Sequence, residues 1–120
     1  MTSLAAVTAW VQHYRRAWES NDPDDVGDLF ADDAAYFTEP YAEPWLGRQR
    51  IVAEWLQRKD EPGTTRFEWR PVVVTDQVAI VEATTHYPDK VFSNLWVLRL
   101  DHAGQARHFT EWWMEHPHAD

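Results

Sequence analysis

Residues 91–100, VFSNLWVLRL, and residues 105–115, QARHFTEWWME, decide the fold. In each stretch the large apolar side chains recur at intervals of two, which is the period of a β-strand. Only residues 101–104 separate the two stretches, and a connection this short joins antiparallel neighbours. The sequence therefore predicts an antiparallel hairpin near its C-terminal end.

The same alternation extends upstream of this hairpin. It begins at Thr64, and we predict strands over residues 64–70, 72–75 and 77–87, with turns at 75–76 and 88–89. Pro71 interrupts the alternation, and a proline inside a strand indicates a bulge or the edge of a sheet. The second half of the chain is thus predicted to be an antiparallel meander.

The first half of the chain has helical periodicity instead. A first helix is predicted to end at Ser20-Asn21, and its apolar positions are Leu4, Val7, Val11, Tyr14 and Trp18. Asp22-Pro23 has the pattern of an N-cap and a first helical residue, so a second helix follows, with Phe30 as the last residue of its apolar stripe. We then expect a short strand over 34–37, a loop over 38–45 and a third helix that opens at Gly47. Helices followed by a run of strands predict an α+β domain with the helices on one face of a curved sheet.

Composition narrows the functions that this chain can have. Its 120 residues suit one domain over 1–120, and 11 Lys and Arg against 20 Asp and Glu give a net charge of −9. A protein that binds nucleic acid needs a basic face, so we expect no nucleic-acid partner. No apolar run is long enough to span a membrane, and the absence of cysteine predicts a cytoplasmic location. The 8 Trp, 4 Tyr and 5 Phe can form a stiff core or the wall of a pocket for a flat apolar ligand.

Four segments resemble a known family. They are residues 18–22 (WESND), 29–34 (LFADDA), 93–96 (SNLW) and 109–114 (FTEWWM), and they are similar to the SnoaL-like branch of the nuclear transport factor two-like superfamily, which includes ketosteroid isomerase and polyketide cyclase relatives. The resemblance implies a cone-shaped, curved antiparallel sheet wrapped around about three N-terminal helices, with an internal apolar pocket, in a homodimer. Ketosteroid isomerases use a tyrosine on the first helix, which Tyr14 matches, together with a carboxylate base and a protonated aspartate. Those two positions fall at Thr38 and near Trp96, so steroid isomerisation is not the predicted activity.

Strand parity places Asn94 and Trp96 on one face of residues 91–100, and Phe109, Glu111 and Trp113 on one face of residues 105–115. Aligning the hairpin at Gly104, as the resemblance suggests, turns both groups toward the helices; a bulge that reversed the parity would place Glu111 on the surface instead. Glu111 then lies between aromatic side chains, where desolvation raises the pKa of a carboxyl group and suits it to carry a proton. Alternatively, Glu111 accepts hydrogen bonds from its neighbours and only ties the sheet to the first helix.

These observations lead to a functional hypothesis with two alternatives. We predict an aromatic-lined pocket that binds an apolar, ring-containing small molecule, with walls formed by Trp18, Tyr41, Trp55, Trp96, Phe109 and Trp113. Catalysis there would be acid–base chemistry such as isomerisation, cyclisation or dehydration, with Glu111 as proton shuttle, Tyr14 and Asn94 holding an oxyanion, and Glu39 as a reserve acid. No cofactor or metal site is predicted. The alternatives are a non-catalytic binding or dimerisation module with a self-filled cavity, and an accessory domain that binds another protein.

The outer face of the last strand carries its own prediction. Trp112 and Met114 alternate with the pocket-facing residues, so they should form an exposed apolar patch. Such a patch usually marks an interface, and we expect a homodimer through this face. A single partly exposed tryptophan with no partner is the alternative.

Overall fold

The computed structural model describes residues 2–58 and 66–117. These residues form three helices and six strands. Two helices come first, and the third helix lies between the second and the third strand. The helices are α1 (Leu4–Ser20), α2 (Pro23–Gly27) and α3 (Arg48–Gln57). The strands are β1 (Phe30–Phe37), β2 (Trp45–Leu46), β3 (Arg66–Val74), β4 (Ala79–His86), β5 (Val91–Leu100) and β6 (Ala106–Glu115). This architecture confirms the predicted α+β class; the predicted start of the alternation at Thr64 lies outside the described residues.

Helix α1 begins and ends through two small polar residues. The Ser3 side chain accepts a hydrogen bond from the Ala6 amide, which satisfies one of the free N–H groups of the first turn. At the other end Asn21 adopts a left-handed conformation with φ of 51°, which asparagine tolerates better than most residues. Asn21 thus stops the helix at the predicted place.

The second helix and the strand after it differ from the prediction. Asp22 caps α2 and Pro23 occupies its first position, as predicted, but the helix ends at Gly27. Phe30 therefore belongs to β1 rather than to the apolar stripe of α2. The reason is a long-range pairing: Phe30 lies opposite Ala106 on β6, and the Ala106 amide donates to the carbonyl of Leu29 at 2.8 Å.

The six strands form one curved, open sheet in the order β2-β1-β6-β5-β4-β3. Strands β3 to β6 are antiparallel neighbours, which confirms the predicted meander. Strand β1 is the exception, because it pairs in parallel with β6. The predicted loop over 38–45 is also shorter than expected, since Trp45 and Leu46 pair with β1 as the short antiparallel β2.

Pro71 lies both at the edge of the sheet and beside a bulge, and these are the two positions predicted for it. Strand β3 lies at the edge of the sheet, and its register with β4 shifts between Pro71 and Val73. The missing N–H of proline therefore costs no ladder hydrogen bond on a central strand.

The core lies between α1 and the concave face of the sheet. Val7 and Val11 of α1 are fully buried, as are Leu98 and Phe109 of the sheet. Trp10 is anchored in this core by its indole N–H, which donates to the Leu29 carbonyl at 2.9 Å. None of the helices in the described part of the chain is long and apolar enough to cross a lipid bilayer.

Candidate functional site: an aromatic cavity around Glu111

A cavity of about 280 Å³ opens between the helices and the concave face of the sheet. Small-molecule sites usually enclose roughly 300–1,000 Å³, so this cavity suits a compact ligand. Most of its wall is aromatic, formed by Tyr14, Trp18, Tyr36, Trp45, Trp55, Phe67, Tyr87, Phe92, Trp96 and Trp113. Thr38, Arg58, Thr85, Asn94 and Glu111 supply the charged and polar groups of the lining. An aromatic wall with a few polar groups is typical of a ligand site.

Glu111 occupies the position that strand parity predicts. It lies opposite Trp96 in the β5–β6 pairing, and Asn94 lies opposite Trp113. The indole Nε1 of Trp96 donates to Glu111 Oε2 at 2.8 Å, and the Asn94 amide Nδ2 donates to the same oxygen at 3.3 Å. Neither bond involves Oε1, and no hydrogen bond to that oxygen is made within residues 2–58 and 66–117.

The environment of Glu111 raises the pKa of its carboxyl group. Burial within the protein raises the pKa of the carboxyl group from its ordinary 4.5, because the charged form loses hydration. The two hydrogen bonds from Trp96 and Asn94 act in the opposite direction, but desolvation is the larger effect. A carboxyl group with a raised pKa is a better proton acceptor once it is ionised.

Asn94 and Thr85 form a second layer behind this carboxylate. The Thr85 hydroxyl donates to Asn94 Oδ1 at 2.7 Å, and both residues are buried. Because its carbonyl oxygen is held by Thr85, the Asn94 side chain is fixed with its NH₂ group toward Glu111. The Asn94 amide is thus directed at Glu111, and Asn94 also lines the cavity; its predicted contact with a substrate oxygen stays a prediction.

Tyr14 lies where the rings of the helices and of the sheet meet. Its ring centroid is 4.9 Å from that of Trp96, 5.4 Å from that of Trp55 and 5.8 Å from that of Phe67. Aromatic pairs at such distances stabilise a protein by roughly 0.5–1.5 kcal/mol each beyond the burial of their area. Tyr14 therefore fixes the position of the aromatic wall that it also lines.

Tyr36 is a cavity residue that the sequence prediction missed. Only 7% of its surface is exposed, yet it lines the cavity, and its hydroxyl makes no hydrogen bond with any residue in 2–58 or 66–117. Burial, and next the charge of Glu111, raise the pKa of Tyr36 well above 10.0, so the phenol stays protonated. Strand alternation could have indicated this orientation, but the parallel β1–β6 pairing that brings Tyr36 beside Phe109 and near Glu111 has no local signal.

Three predicted site residues lie elsewhere than expected. Tyr41 is 83% exposed and Glu39 is its hydrogen-bond partner, which raises the pKa of the Tyr41 hydroxyl; neither residue lines the cavity. Phe109 has the predicted orientation, but Tyr36 and Trp96 pack against its ring at 4.8 and 5.7 Å and cover it. It is fully buried beneath the cavity wall. The other predicted wall residues, Trp18, Trp55, Trp96 and Trp113, line the cavity.

Arg58 brings a cation to the cavity. Its guanidinium carbon lies 5.1 Å from the centroid of the Trp45 ring, and Trp45 in turn stacks on Tyr36 with centroids 4.8 Å apart. Arg58 Nη1 contacts the Glu54 carboxylate one helical turn earlier, at 2.5 Å. The cavity therefore has a carboxylate at Glu111 and a guanidinium at Arg58.

No group of three His, Asp or Glu side chains within the described residues is arranged to hold a metal ion. The charged and polar groups that line the cavity are a carboxylate, hydroxyls, an amide and a guanidinium.

The model of the SnoaL-like domain family matches residues 11–117. The chain therefore belongs to the SnoaL-like family. This SnoaL-like chain also shares its fold with solved structures, many of them NTF2-like or cystatin-like proteins. None of the curated proteins matches its sequence significantly.

Three of the similar structures show how much these proteins differ in sequence identity and in their descriptions. An NTF2-like protein of unknown function from Burkholderia xenovorans LB400 is 18% identical, with a TM-score of 0.75 over 97% of this chain and 88% of that chain. A cystatin-like fold protein from the same organism is 23% identical, with a TM-score of 0.65 over 94% and 92% of the two chains. A steroid delta-isomerase from Pseudomonas aeruginosa is 14% identical, with a TM-score of 0.64 over 92% and 80%. At these identities the likeness shows the fold alone.

Proposed function

We propose that this SnoaL-like protein binds a compact, ring-containing carbonyl compound and moves a proton on it, with Glu111 as the proton acceptor. The observation that carries the proposal is the Glu111 carboxylate, anchored through Oε2 by Trp96 and surrounded by an aromatic wall. Flat apolar rings fit such a wall, and a desolvated carboxylate is suited to proton abstraction.

The chemistry requires two groups with opposite roles. Glu111 Oε1 removes a proton from the carbon next to the carbonyl. The electron pair of the broken C–H bond forms a C=C bond with the carbonyl carbon, and the π pair of the carbonyl moves onto its oxygen. The Tyr36 hydroxyl donates a hydrogen bond to that oxygen as its negative charge develops. When the carbonyl re-forms, Glu111 returns the proton to the same or to a conjugated carbon, so an isomerisation consumes no other reagent.

Tyr36 supports this role better than the two donors predicted from the sequence. Its hydroxyl has no partner among the described residues, and the raised pKa keeps its proton on the oxygen. The Asn94 amide is instead directed at Glu111. We assign Asn94 to the positioning of the carboxylate and Tyr14 to the wall.

A pair of assays tests the proposal. Binding of ring ketones such as 1-tetralone is measured by thermal shift, and proton abstraction by loss of the α-proton NMR signals of the ketone in D₂O. A ligand at a hundredfold excess over its Kd stabilises the folded state by about 2.7 kcal/mol. We expect both signals in the native protein, and loss of the exchange in Glu111→Gln but not in Glu19→Gln, which removes an exposed carboxylate.

The same assays separate the alternative functions. Binding without any exchange would indicate a non-catalytic binding module. Absence of binding, together with a marked loss of stability in Glu111→Gln, would make Glu111 a structural tie and overturn the proposal.

We also propose that the outer face of the sheet mediates self-association. Trp112 is 38% exposed and Met114 is 69% exposed, and Leu95 lies beside Trp112 on the neighbouring strand. Trp112 and Met114 alternate with the cavity-facing Trp113 and so lie on the face opposite the cavity, where a second copy of this chain would cover them with the same residues.

A further inference from the structure

Arg58 is the one cationic side chain among the described residues that line the cavity. The chain as a whole carries a net charge of −9, so its general field repels anions rather than attracting them. The guanidinium in the cavity lining therefore contrasts with the acidic charge of the rest of the chain, and we ask which ligand it would bind.

The contacts of Arg58 leave a defined edge of the guanidinium open. Nη1 donates to the Glu54 carboxylate and, at 3.3 Å, to the Glu54 carbonyl. Nε and Nη2 make no hydrogen bond with any residue described by the structure, and 58% of the side chain is exposed. Nε–H and one N–H of Nη2 are parallel, and this pair of donors matches the two oxygens of a carboxylate.

Ring contacts link Arg58 to Tyr36 through Trp45. The position of Arg58 over Trp45, and the stacking of Trp45 on Tyr36, connect the guanidinium to the cavity wall through two ring contacts of 5.1 and 4.8 Å. Arg58, Trp45 and Tyr36 all line the same cavity, so a ligand that enters it meets the guanidinium, the indole and the phenol.

We propose that the ligand of this cavity is a ring-containing carboxylic acid, bound through its carboxylate to the Nε–Nη2 edge of Arg58. This inference rests on the proposed function, because the ring and the carbonyl occupy the site around Tyr36 and Glu111. Glu54 acts as a positioning residue: it holds Nη1 and so turns the open edge away from itself.

The experiment compares probes that differ in charge but not in shape. Isothermal titration calorimetry measures the binding of 2-naphthoate and of its neutral carboxamide, with 1-tetralone as a neutral ketone. We expect the native protein to prefer the carboxylate by about tenfold, the size of one charge-assisted hydrogen-bond contribution at a partly exposed site. Arg58→Gln should remove this preference, and Arg58→Lys should retain only part of it, because lysine has the charge without the parallel donors.

The control variant is Arg16→Gln, which removes the same charge from an exposed position on α1 that does not line the cavity. It should bind all three probes as the native protein does. Melting temperatures show whether each variant is folded, and Arg58 is exposed enough for its substitution to be tolerated.

Two results overturn the inference by different routes. Equal binding of the carboxylate and the carboxamide, or a preference that persists in Arg58→Gln, refutes the role of Arg58 while binding of 1-tetralone still supports the proposed function. Failure of all three probes to bind refutes the proposed function, and the assignment of Arg58 with it.

Discussion

Trp96 and Glu111 lie directly opposite each other on β5 and β6, and the Trp96 indole N–H donates to the Glu111 carboxylate at 2.8 Å. One residue pair thus joins the aromatic wall to the ionisable group. Through this bond the buried indole N–H has an acceptor. The same bond holds in place a carboxylate that is desolvated by its burial in the protein. The pair is therefore a feature of the core and of the cavity at once.

The first prediction concerns the pH dependence of stability at Glu111. Because the folded protein raises the pKa of this carboxyl group above 4.5, it binds more protons than the unfolded chain in the interval between the two values. Stability from this group therefore falls as pH rises through that interval and stays lower above it. Glu111→Gln should remove this fall, so thermal melts from pH 4 to 8 should show the variant gaining on the native protein as pH rises. Glu19→Gln is the control, and a stability difference between Glu111→Gln and the native protein that does not change with pH would contradict the prediction.

The second prediction concerns the Tyr36 hydroxyl. Tyr36→Phe removes a group that has no hydrogen-bond partner among the described residues, so the melting temperature should change little. The α-proton exchange of a bound ketone should slow by about tenfold to a thousandfold, the usual effect of deleting a donor to a developing oxyanion. Tyr41→Phe, at a position that is 83% exposed, should leave the rate unchanged. An unchanged rate in Tyr36→Phe would assign the donor role to another group.

The third prediction tests the support behind Glu111. Thr85→Val keeps the shape of the side chain but removes the donor to Asn94 Oδ1, whose buried oxygen then lacks a partner. Urea unfolding should show a loss of about 1–2 kcal/mol, the cost of an unsatisfied buried acceptor. The acid limb of any pH–rate profile should also move to higher pH, because a loosened Asn94 stabilises the ionised Glu111 less. Thr84→Val, the neighbour on the other face of β4, serves as the comparison and should show neither change.

The fourth prediction concerns the outer face of the sheet. Met114→Glu places a charge on the proposed self-association surface and should shift the protein toward monomer in sedimentation velocity. Val72→Glu introduces the same charge at an exposed position of the edge strand and should leave the sedimentation unchanged. A native protein that is already monomeric at micromolar concentration would contradict the prediction.

Much of the fold follows from local sequence patterns, and the reasons can be named. Asp22-Pro23 starts a helix because of its own capping chemistry, and alternation on 91–100 assigns faces because successive strand residues point to opposite sides. These two inferences need no information from a distant part of the chain. The face of Glu111 needs more than alternation, because the register of β5 with β6 shifts between Arg99 and Leu100, and the family resemblance supplied the alignment that turned Glu111 toward the helices.

What the sequence did not predict depends on non-local pairing. Strand β1 joins β6 in parallel across most of the chain, and no turn connects the two strands to give a signal. Phe30 was therefore assigned to a helix, and Tyr36 was not recognised as a neighbour of Glu111. The prediction that Tyr41 lines the cavity was wrong for a different reason. An aromatic residue on a loop carries no local signal for the direction in which its ring packs, and the Tyr41 hydroxyl pairs with Glu39 outside the cavity.

The bulge at Pro71 affects more than the local shape of β3. An open sheet exposes the unpaired backbone of its edge strands, and in other proteins this leads to stacking into fibrils. Pro71 removes one donor from that edge and the register shift beside it disrupts the geometry that an incoming strand would need, while the other edge, β2, is only two residues long. The chain can therefore keep its sheet unclosed, which leaves room for the cavity, without offering a template for aggregation.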